Sequence, residues 1–467
     1  MISNIRKPLC IATLYIASSF PSFCYADQVV EARDVKKPNI VMLFVDDMGW
    51  MATESRTPKY ETPNITQLTT QGMEFDSMHI ATPTCSPSRA TLLTGLHPAR
   101  LKMVRHIPQK PQYGFDKYGR TTQKTHLWEK DPAQMPSTNW LDTKYITYAE
   151  ALKQVGYYSA FVGKWHLGHE GYHPIDQGFD QQIGTSNFGH PSSYYPPYFK
   201  FSDTLADAKD EYLTDRLTRE AVEFIDDYDK EQPFMLSLWY YGIHSPIVGR
   251  KDLVAHFKAK GMSEEDAQYA SMITAIDESV GKVRQALSAK GLEKDTIIMF
   301  LSDQGGLFDN SPLRGGKRID TLYEGGARVP FIVSWPGVIE EGVVNHSIVQ
   351  STDLFPTLVD IAGLKPDNFK DLDGVSLMNT IKNDTELARG DAIYGYRAYQ
   401  DLYASVREDE WKLLAYRSGL LKLYNIPNDV SETTDLADKH PEIVARLKQK
   451  LQSWEKEMGV EQYSGVK

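Results

Sequence analysis

Cysteine is nearly missing from this chain. Three occur in 467 residues, too few for a disulfide framework and too few for a four-cysteine zinc site. Positive charge is also short: 51 Lys and Arg stand against 62 Asp and Glu, a formal net charge of −11. That balance excludes a general nucleic-acid binder and a protein held on anionic lipid by a basic patch. After the first 26 residues there is no apolar run long enough to span a bilayer, and nowhere is there a low-complexity tract or an internal repeat. What is present, 41% hydrophobic and 24% charged, is the composition of a globular chain long enough for one large domain and a small one.

The N-terminus has the pattern of an export signal, residues 1–26. Arg6 and Lys7 give a positive start, Leu9 to Phe20 an apolar stretch, and Cys24-Tyr25-Ala26 a small-residue cleavage site before Asp27. Pro21-Ser22-Phe23 makes a poor lipidation box at Cys24, so cleavage without a lipid or membrane anchor is expected. The mature protein is then expected to be periplasmic or secreted, with Cys85 as its one cysteine.

Beyond the signal the chain alternates. Asn39 to Val45, Tyr158 to Val162, Pro233 to Tyr240 and Thr296 to Leu301 are short, nearly continuous apolar runs, as expected of strands buried on both faces of a mainly parallel sheet. Helical periodicity fills the gaps at Ile65 to Gly72, Tyr148 to Gly156, Tyr212 to Tyr228, Ser263 to Lys290 and Asp353 to Ala362, and Pro330 to Trp335 reads as a further strand. From residue 390 the pattern changes to four short segments, Ala392 to Arg397, Leu402 to Glu408, Trp411 to Arg417 and Leu420 to Ile426, closed by a helix from Pro441 to Met458. The expectation is an α/β catalytic domain over 27–389, a mostly parallel sheet flanked by helices, and a smaller α+β subdomain over 390–467 with an antiparallel sheet.

The four buried strands run into polar groups: Asp46-Asp47, Lys164-Trp165-His166, His244-Ser245-Pro246 and Asp303-Gln304. Ligands of open α/β sheets bind beyond the carboxyl ends of the strands, so these groups should converge. Alone, each is unremarkable; Asp46-Asp47 could cap a turn and His244 could be a packed loop histidine. Together, acidic strand ends and an amide make an all-oxygen site for a hard divalent cation, calcium or magnesium rather than zinc. Lysines and histidines around it suit a phosphate or sulfate ester. Cys85 stands in Thr84-Cys85-Ser86-Pro87-Ser88-Arg89 just before a helix-compatible stretch, where the dipole and free N–H groups favour an anion.

Cys85-Ser86-Pro87-Ser88-Arg89, with Leu93-Thr94-Gly95 after it, resembles the signature of the type I formylglycine-dependent sulfatases of the alkaline phosphatase superfamily. Asp46-Asp47, Gly163-Lys164-Trp165-His166-Leu167-Gly168, His244-Ser245-Pro246, Asp303-Gln304-Gly305, Gly315-Gly316-Lys317 and Glu324-Gly325-Gly326 are similar to further landmarks of that family, in order, over about residues 38 to 336. The resemblance implies an alkaline-phosphatase-like fold, hydrolysis of sulfate monoesters, and oxidation of Cys85 to formylglycine by a maturation enzyme. It implies one calcium held by Asp46, Asp47, Asp303, Gln304 and the modified Cys85. Arg89 would orient the formylglycine, Lys164 and Lys317 would bind sulfate oxygens, His244 would protonate the leaving oxygen and His166 would take the proton from the second hydroxyl of the hydrated aldehyde. Local charge decides over net charge here, since one opposite-charge pair at about 4 Å is worth about 4 kcal/mol at intermediate dielectric.

Two positions depart from the family pattern. Gln304 stands where asparagine or histidine is common, and Lys102 where glycine is common. Residues 106–144 and 190–201 are rich in aromatics and basic residues, which suits a sulfated sugar chain, algal galactan such as carrageenan or a glycosaminoglycan. His190, Arg120 and Arg397 are weaker candidates for substrate contact. Competing readings are a phosphonate or phosphate ester hydrolase of the same superfamily and a catalytically silent sulfated-glycan-binding protein. Oligomeric state stays open.

Overall fold

The computed structural model describes residues 37–466 apart from 203, 207–208 and 398–400. The expected signal segment therefore lies outside the described residues. Eight strands form the central sheet: β1 Asn39–Val45, β2 Met73–Phe75, β3 Tyr158–Gly163, β4 Gln181–Ile183, β5 Phe234–Trp239, β6 Thr296–Ser302, β7 Phe331–Ser334 and β8 Val343–Asn345, in spatial order β8-β2-β7-β6-β1-β5-β3-β4. All neighbouring pairs are parallel except those of β7, which runs antiparallel to both β2 and β6.

The continuous apolar runs are explained by burial on both faces. Along β1, Ile40, Met42 and Phe44 enter one core with the helices Cys85–Thr94, Tyr148–Lys153 and Leu354–Ile361, while Val41, Leu43 and Val45 enter a second core with Leu213–Asp227 and Glu264–Ala289. Side chains alternate across a strand, so a strand covered on both sides has no polar positions to alternate with.

The C-terminal sheet is antiparallel, β9 Ile393–Tyr396, β10 Leu402–Glu408, β11 Trp411–Tyr416 and β12 Leu421–Asn425 in sequential order, with the helix Pro441–Glu457 packed on it through Leu447, Leu451 and Trp454. Among the described residues, no helix is long and apolar enough to cross a membrane. Lys102 has a structural explanation: it closes a short helix at φ 55° and its Nζ donates to Met458 O and Gly459 O, 2.6 and 2.8 Å away. A cation there offsets the negative end of the C-terminal helix, which glycine could not do.

Register sets up the site. Val45 lies opposite Ser302, Phe44 opposite Trp239, and Gly163 opposite Trp239. The carboxyl ends of β1, β3, β5 and β6 therefore finish at one level, and the residues that follow them must share one space.

Candidate active site

Asp46 and Asp47 leave β1, Lys164 to His166 leave β3, His244 follows β5 and Asp303 with Gln304 leaves β6. Backbone bonds lock these exits together: Asp46 N–H donates to Gly242 O, Ile243 N–H to Asp46 O, Lys164 N–H to Trp239 O and Asp303 N–H to Val45 O. Two site residues occupy the left-handed region, Asp47 at φ 67° and His166 at φ 57°. Such backbone costs about 1–3 kcal/mol each for non-glycine residues and persists where surroundings enforce it, commonly at functional sites. Gly163 is obligatory beside them, since at φ 108° its added Cβ would lie 2.0 Å from Trp239 O.

Cys85 opens the helix Cys85–Thr94, whose ten residues are all buried. Ser86 Oγ accepts from Ile107 N–H at 3.1 Å, and Gly95 ends the helix at φ 69° with its N–H on Thr91 O. The thiol reaches the strand ends: Sγ is 3.8 Å from Asp46 Oδ1 and accepts from Gln304 Nε2 at 3.2 Å. One potential ligand atom each from Asp46, Asp47 and Cys85 lies within 4.8 Å of the others.

Three cations share this pocket with three carboxylates. Lys164 Nζ binds Asp46 Oδ2, Lys317 Nζ binds Asp47 Oδ2, and Arg89 Nη2 lies 3.2 Å from Asp303 Oδ2 and 3.7 Å from Asp46 Oδ2. Arg89 also donates from Nη1 to Lys164 O at 2.8 Å, and its guanidinium stands over the Phe44 and Trp239 rings. His244 Nε2 is 4.0 Å from Asp47 Oδ2, its Nδ1 donating to Ser245 O at 2.7 Å. His166 Nε2 donates to Ile107 O at 2.9 Å, which leaves Nδ1 as the ring's open acceptor, buried and without a partner. The ten residues anticipated from the sequence, Asp46, Asp47, Cys85, Arg89, Lys164, His166, His244, Asp303, Gln304 and Lys317, thus fall in or against one cluster, although Asp303 spends Oδ1 on Asp47 N–H and Oδ2 on Arg89.

Burial dominates the electrostatics. It pushes the Cys85 thiol up to about 12 against the pull of Lys164, so the unmodified side chain is a neutral thiol at physiological pH. Burial, reinforced by Asp303, raises Asp47, and burial reinforced by Asp46 raises Asp303. Burial and then neighbouring lysines, Lys317 for His244 and Lys164 for His166, hold both imidazoles well below the ordinary histidine range. Crowded carboxylates with a buried orphan oxygen, Asp47 Oδ1, are the donor set a hard divalent cation satisfies. Gln304 presents its Nε2 to Cys85 Sγ; a turn of the amide, exchanging Nε2 for Oε1, would add an oxygen to that set.

The weaker candidates separate. His190 stacks on His244, ring centroids 5.5 Å apart and 8° from parallel. Arg120 is exposed and paired with Asp116 at 2.8 Å. Arg397 is buried, 3% exposed. Arg105 and His106 were not foreseen as site residues. Arg105 stands 3.1 Å over the Trp128 ring, and His106 lies 6.5 Å, ring to ring, from His166. No periodic signal marks Val104-Arg105-His106; the Ser86–Ile107 hydrogen bond and the packing of Met103 and Ile107 in the core that holds Leu92 and Leu93 bring the segment to the thiol helix.

The family profile described as Sulfatase matches residues 38–364, and one described as N-sulphoglucosamine sulphohydrolase, C-terminal, matches residues 316–457. The chain is 31% identical over 389 residues to the N-acetylgalactosamine-6-sulfatase of Mus musculus, covering 77% of this chain and 69% of that enzyme. It is 28% identical over 503 residues to a sulfatase of Formosa agariphila, covering 90% of this chain and 89% of that protein. Among solved structures, Ps i-CgsB in complex with k-i-k-neocarrahexaose superposes with a TM-score of 0.77 at 28% identity, over 90% of this chain and 92% of the other. With its strand-end cluster and a profile match across most of its length, the chain belongs to the sulfatase family, the sulfuric ester hydrolases.

Proposed function

We propose that the protein releases inorganic sulfate from a sulfated carbohydrate, a galactan such as carrageenan or a galactosamine-containing glycosaminoglycan, with Cys85 oxidised to formylglycine and one calcium ion bound. The observation that carries this reading is the Cys85 thiol itself. Burial holds it as a neutral thiol at physiological pH, yet it sits where three carboxylates, three cations and two histidines meet. A permanent thiol there would be a poor nucleophile in a costly setting. The substrate class is supported by two relatives: one is named for N-acetylgalactosamine 6-sulfate, the other was solved with k-i-k-neocarrahexaose.

Asp46, Asp47, Asp303, Gln304 and residue 85 would hold the calcium, and together the ion and the formylglycine supply Lewis acidity and an oxygen nucleophile. The rest is done by this chain's side chains. Arg89, tied to Asp303 and to Lys164 O, fixes the geometry of residue 85 and offsets carboxylate charge. Lys164 and Lys317 exchange a carboxylate oxygen for sulfate oxygens when substrate enters. Burial and then the Lys317 field keep His244 neutral; the negative charge of an incoming sulfate opposes both, so its Nε2 can carry a proton to the leaving sugar oxygen. His166, its Nε2 anchored on Ile107 O, receives a proton at Nδ1.

The reading extends to the chain's processing: removal of residues 1–26, export to the periplasm or outside the cell, modification by a formylglycine-generating enzyme, and a division into a catalytic domain to residue 389 and a C-terminal subdomain from 390. The test is sulfate release from defined sulfated oligosaccharides with and without calcium, alongside mass spectrometry of the Cys85 peptide from the natural host. Release that needs calcium and tracks the formylglycine fraction is expected. An unmodified thiol in active protein, or release of phosphonate but not sulfate, would overturn it.

A further inference from the structure

Of the ten residues in the cluster, His244 and Lys317 are the two that are not buried, their side chains 13% and 15% exposed. Substrate must therefore enter past this pair. One further ring stands at that opening. His190 is exposed and lies flat against His244, ring centroids 5.5 Å apart and planes 8° from parallel.

The chain on either side holds this ring in place. Gly189 packs so closely on His166 that an added Cβ would lie 2.4 Å from its Cε1, and Gly189 N–H donates to Gln109 Oε1 at 3.0 Å. On the other side Pro191 is buried, and Tyr194 Oη lies 2.7 Å from both Tyr241 O and His244 O. Residues 189–194 thus run from one histidine of the site to the other, with side chain 190 against the His244 ring. Hydrogen bonding also sets its chemistry. His190 Nδ1 is 3.0 Å from Pro191 O, and a carbonyl can only accept, so Nδ1 carries the ring proton. Nε2 of the neutral ring is then an acceptor, and among the described residues nothing donates to it. An exposed acceptor is ordinarily hydrated and reads nothing. This one stands beside the imidazole assigned to the leaving oxygen, so the sugar that owns that oxygen must displace its water, and binds well only if it returns a donor.

We propose that His190 is a specificity-determining residue, whose Nε2 accepts from a free hydroxyl of the sugar that carries the ester being cleaved. The proposal rests on the sulfatase reading, in which His244 serves the leaving oxygen, and adds a residue that reads the sugar instead of the sulfate.

The test measures kcat/KM on galactose 4-sulfate, galactose 6-sulfate and N-acetylgalactosamine 6-sulfate, and compares the fastest of them with its analogues lacking one free hydroxyl at a time. Wild type should lose about tenfold on one analogue, the upper end for a single neutral hydrogen bond. His190→Phe keeps a flat ring on His244 but removes the acceptor; it should lose about tenfold on the parent ester and nothing further on that analogue, while the other deletions act on it as they do on wild type. His190→Asn, which restores an acceptor, should recover part. Full activity of His190→Phe on the parent would reduce His190 to packing, and an equal loss on every analogue would mean that it meets no hydroxyl; either overturns the proposal. So does a wild type indifferent to every deletion, a result that needs no folded variant. If wild type turns over none of the sugars, calorimetric titration of the parent and its analogues into wild type and His190→Phe reads the same contact. Failure to release sulfate from 4-nitrocatechol sulfate as well would sink the sulfatase reading and leave that titration standing.

Discussion

Gln304 donates its side-chain amide to Cys85 Sγ across 3.2 Å, joining the end of β6 to the first residue of the thiol helix. Both groups are buried, so removing the amide leaves a polar gap costing about 1–3 kcal/mol, a factor of roughly ten to a hundred. If Gln304 supplies an oxygen to the calcium in the matured protein, Gln304→Leu should lower kcat by about that factor and reduce the calcium retained after desalting, as measured by elemental mass spectrometry. Gln304→Asn, with the same amide on a shorter stem, should lie between. Wild-type calcium content and turnover in Gln304→Leu would remove Gln304 from the metal site.

Lys317 offers a cleaner contrast, because it binds Asp47 while most lysines of this chain lie in solvent. If it holds a sulfate oxygen in the transition state, its loss should cost about 100- to 1,000-fold in kcat, the range for one preorganised donor. Lys258→Ala, which removes an exposed partner of Glu264, is expected to stay within twofold of wild type. Similar activity in Lys317→Ala and Lys258→Ala, from steady-state sulfate release, would refute the assignment.

The fold was largely legible because the sheet is covered on both faces. A strand with two apolar neighbours leaves an unbroken run, and β1 occupies the span expected, Asn39–Val45. Strands such as Met73–Phe75 and Val343–Asn345, three residues each, carry no such signal; partners define them, not composition. The site was legible where polar residues interrupt those runs at the carboxyl end. Arg105 was not, being a single charge in a loop that tertiary contacts place, among them Ser137 Oγ on Arg105 O and the Trp128 ring under its guanidinium. Arg120, another basic residue among aromatics, is exposed and pairs with Asp116 at 2.8 Å, a surface contact that the sequence pattern does not specify.

A buried ion cluster ties the C-terminal sheet to the segment before β7. Lys412 Nζ lies 2.8 Å from Glu324 Oε1 and 3.0 Å from Glu432 Oε1, and Glu324 also meets His79 at 3.1 Å and Arg407 at 3.5 Å. Removing one partner of a buried pair strands a charge at about 3–5 kcal/mol. Lys412→Met should cut the unfolding free energy by that amount in urea titration. Lys412→Met with Glu432→Gln should recover a good part, since the second change deletes the stranded carboxylate. A double variant no more stable than the single one would show that packing, not charge, is what Lys412 supplies.

His97 predicts how stability responds to acid. Its Nδ1 accepts from Ala99 N–H at 3.1 Å and its Nε2 donates to Tyr394 O at 3.0 Å, with the ring edge-on to Trp454. Both nitrogens are committed to the neutral form, and burial, against the pull of Asp373, lowers the group to about 4. In the unfolded chain it titrates near 6.5. Between those values the unfolded state binds a proton that the folded state refuses, so the contribution is complete above about pH 6.5 and is lost as pH falls toward 4. At about 1.4 kcal/mol per unit it reaches roughly 3 kcal/mol. His97→Gln keeps a donor for Tyr394 O but cannot titrate, so its unfolding free energy should fall less steeply with acid than that of wild type. His79 and His126, also lowered to about 4 by burial, continue to act in both proteins. Parallel slopes for the two proteins between pH 6.5 and 4 would mean that His97 stays neutral in both folded and unfolded chains, or charges in both, and carries no acid sensitivity.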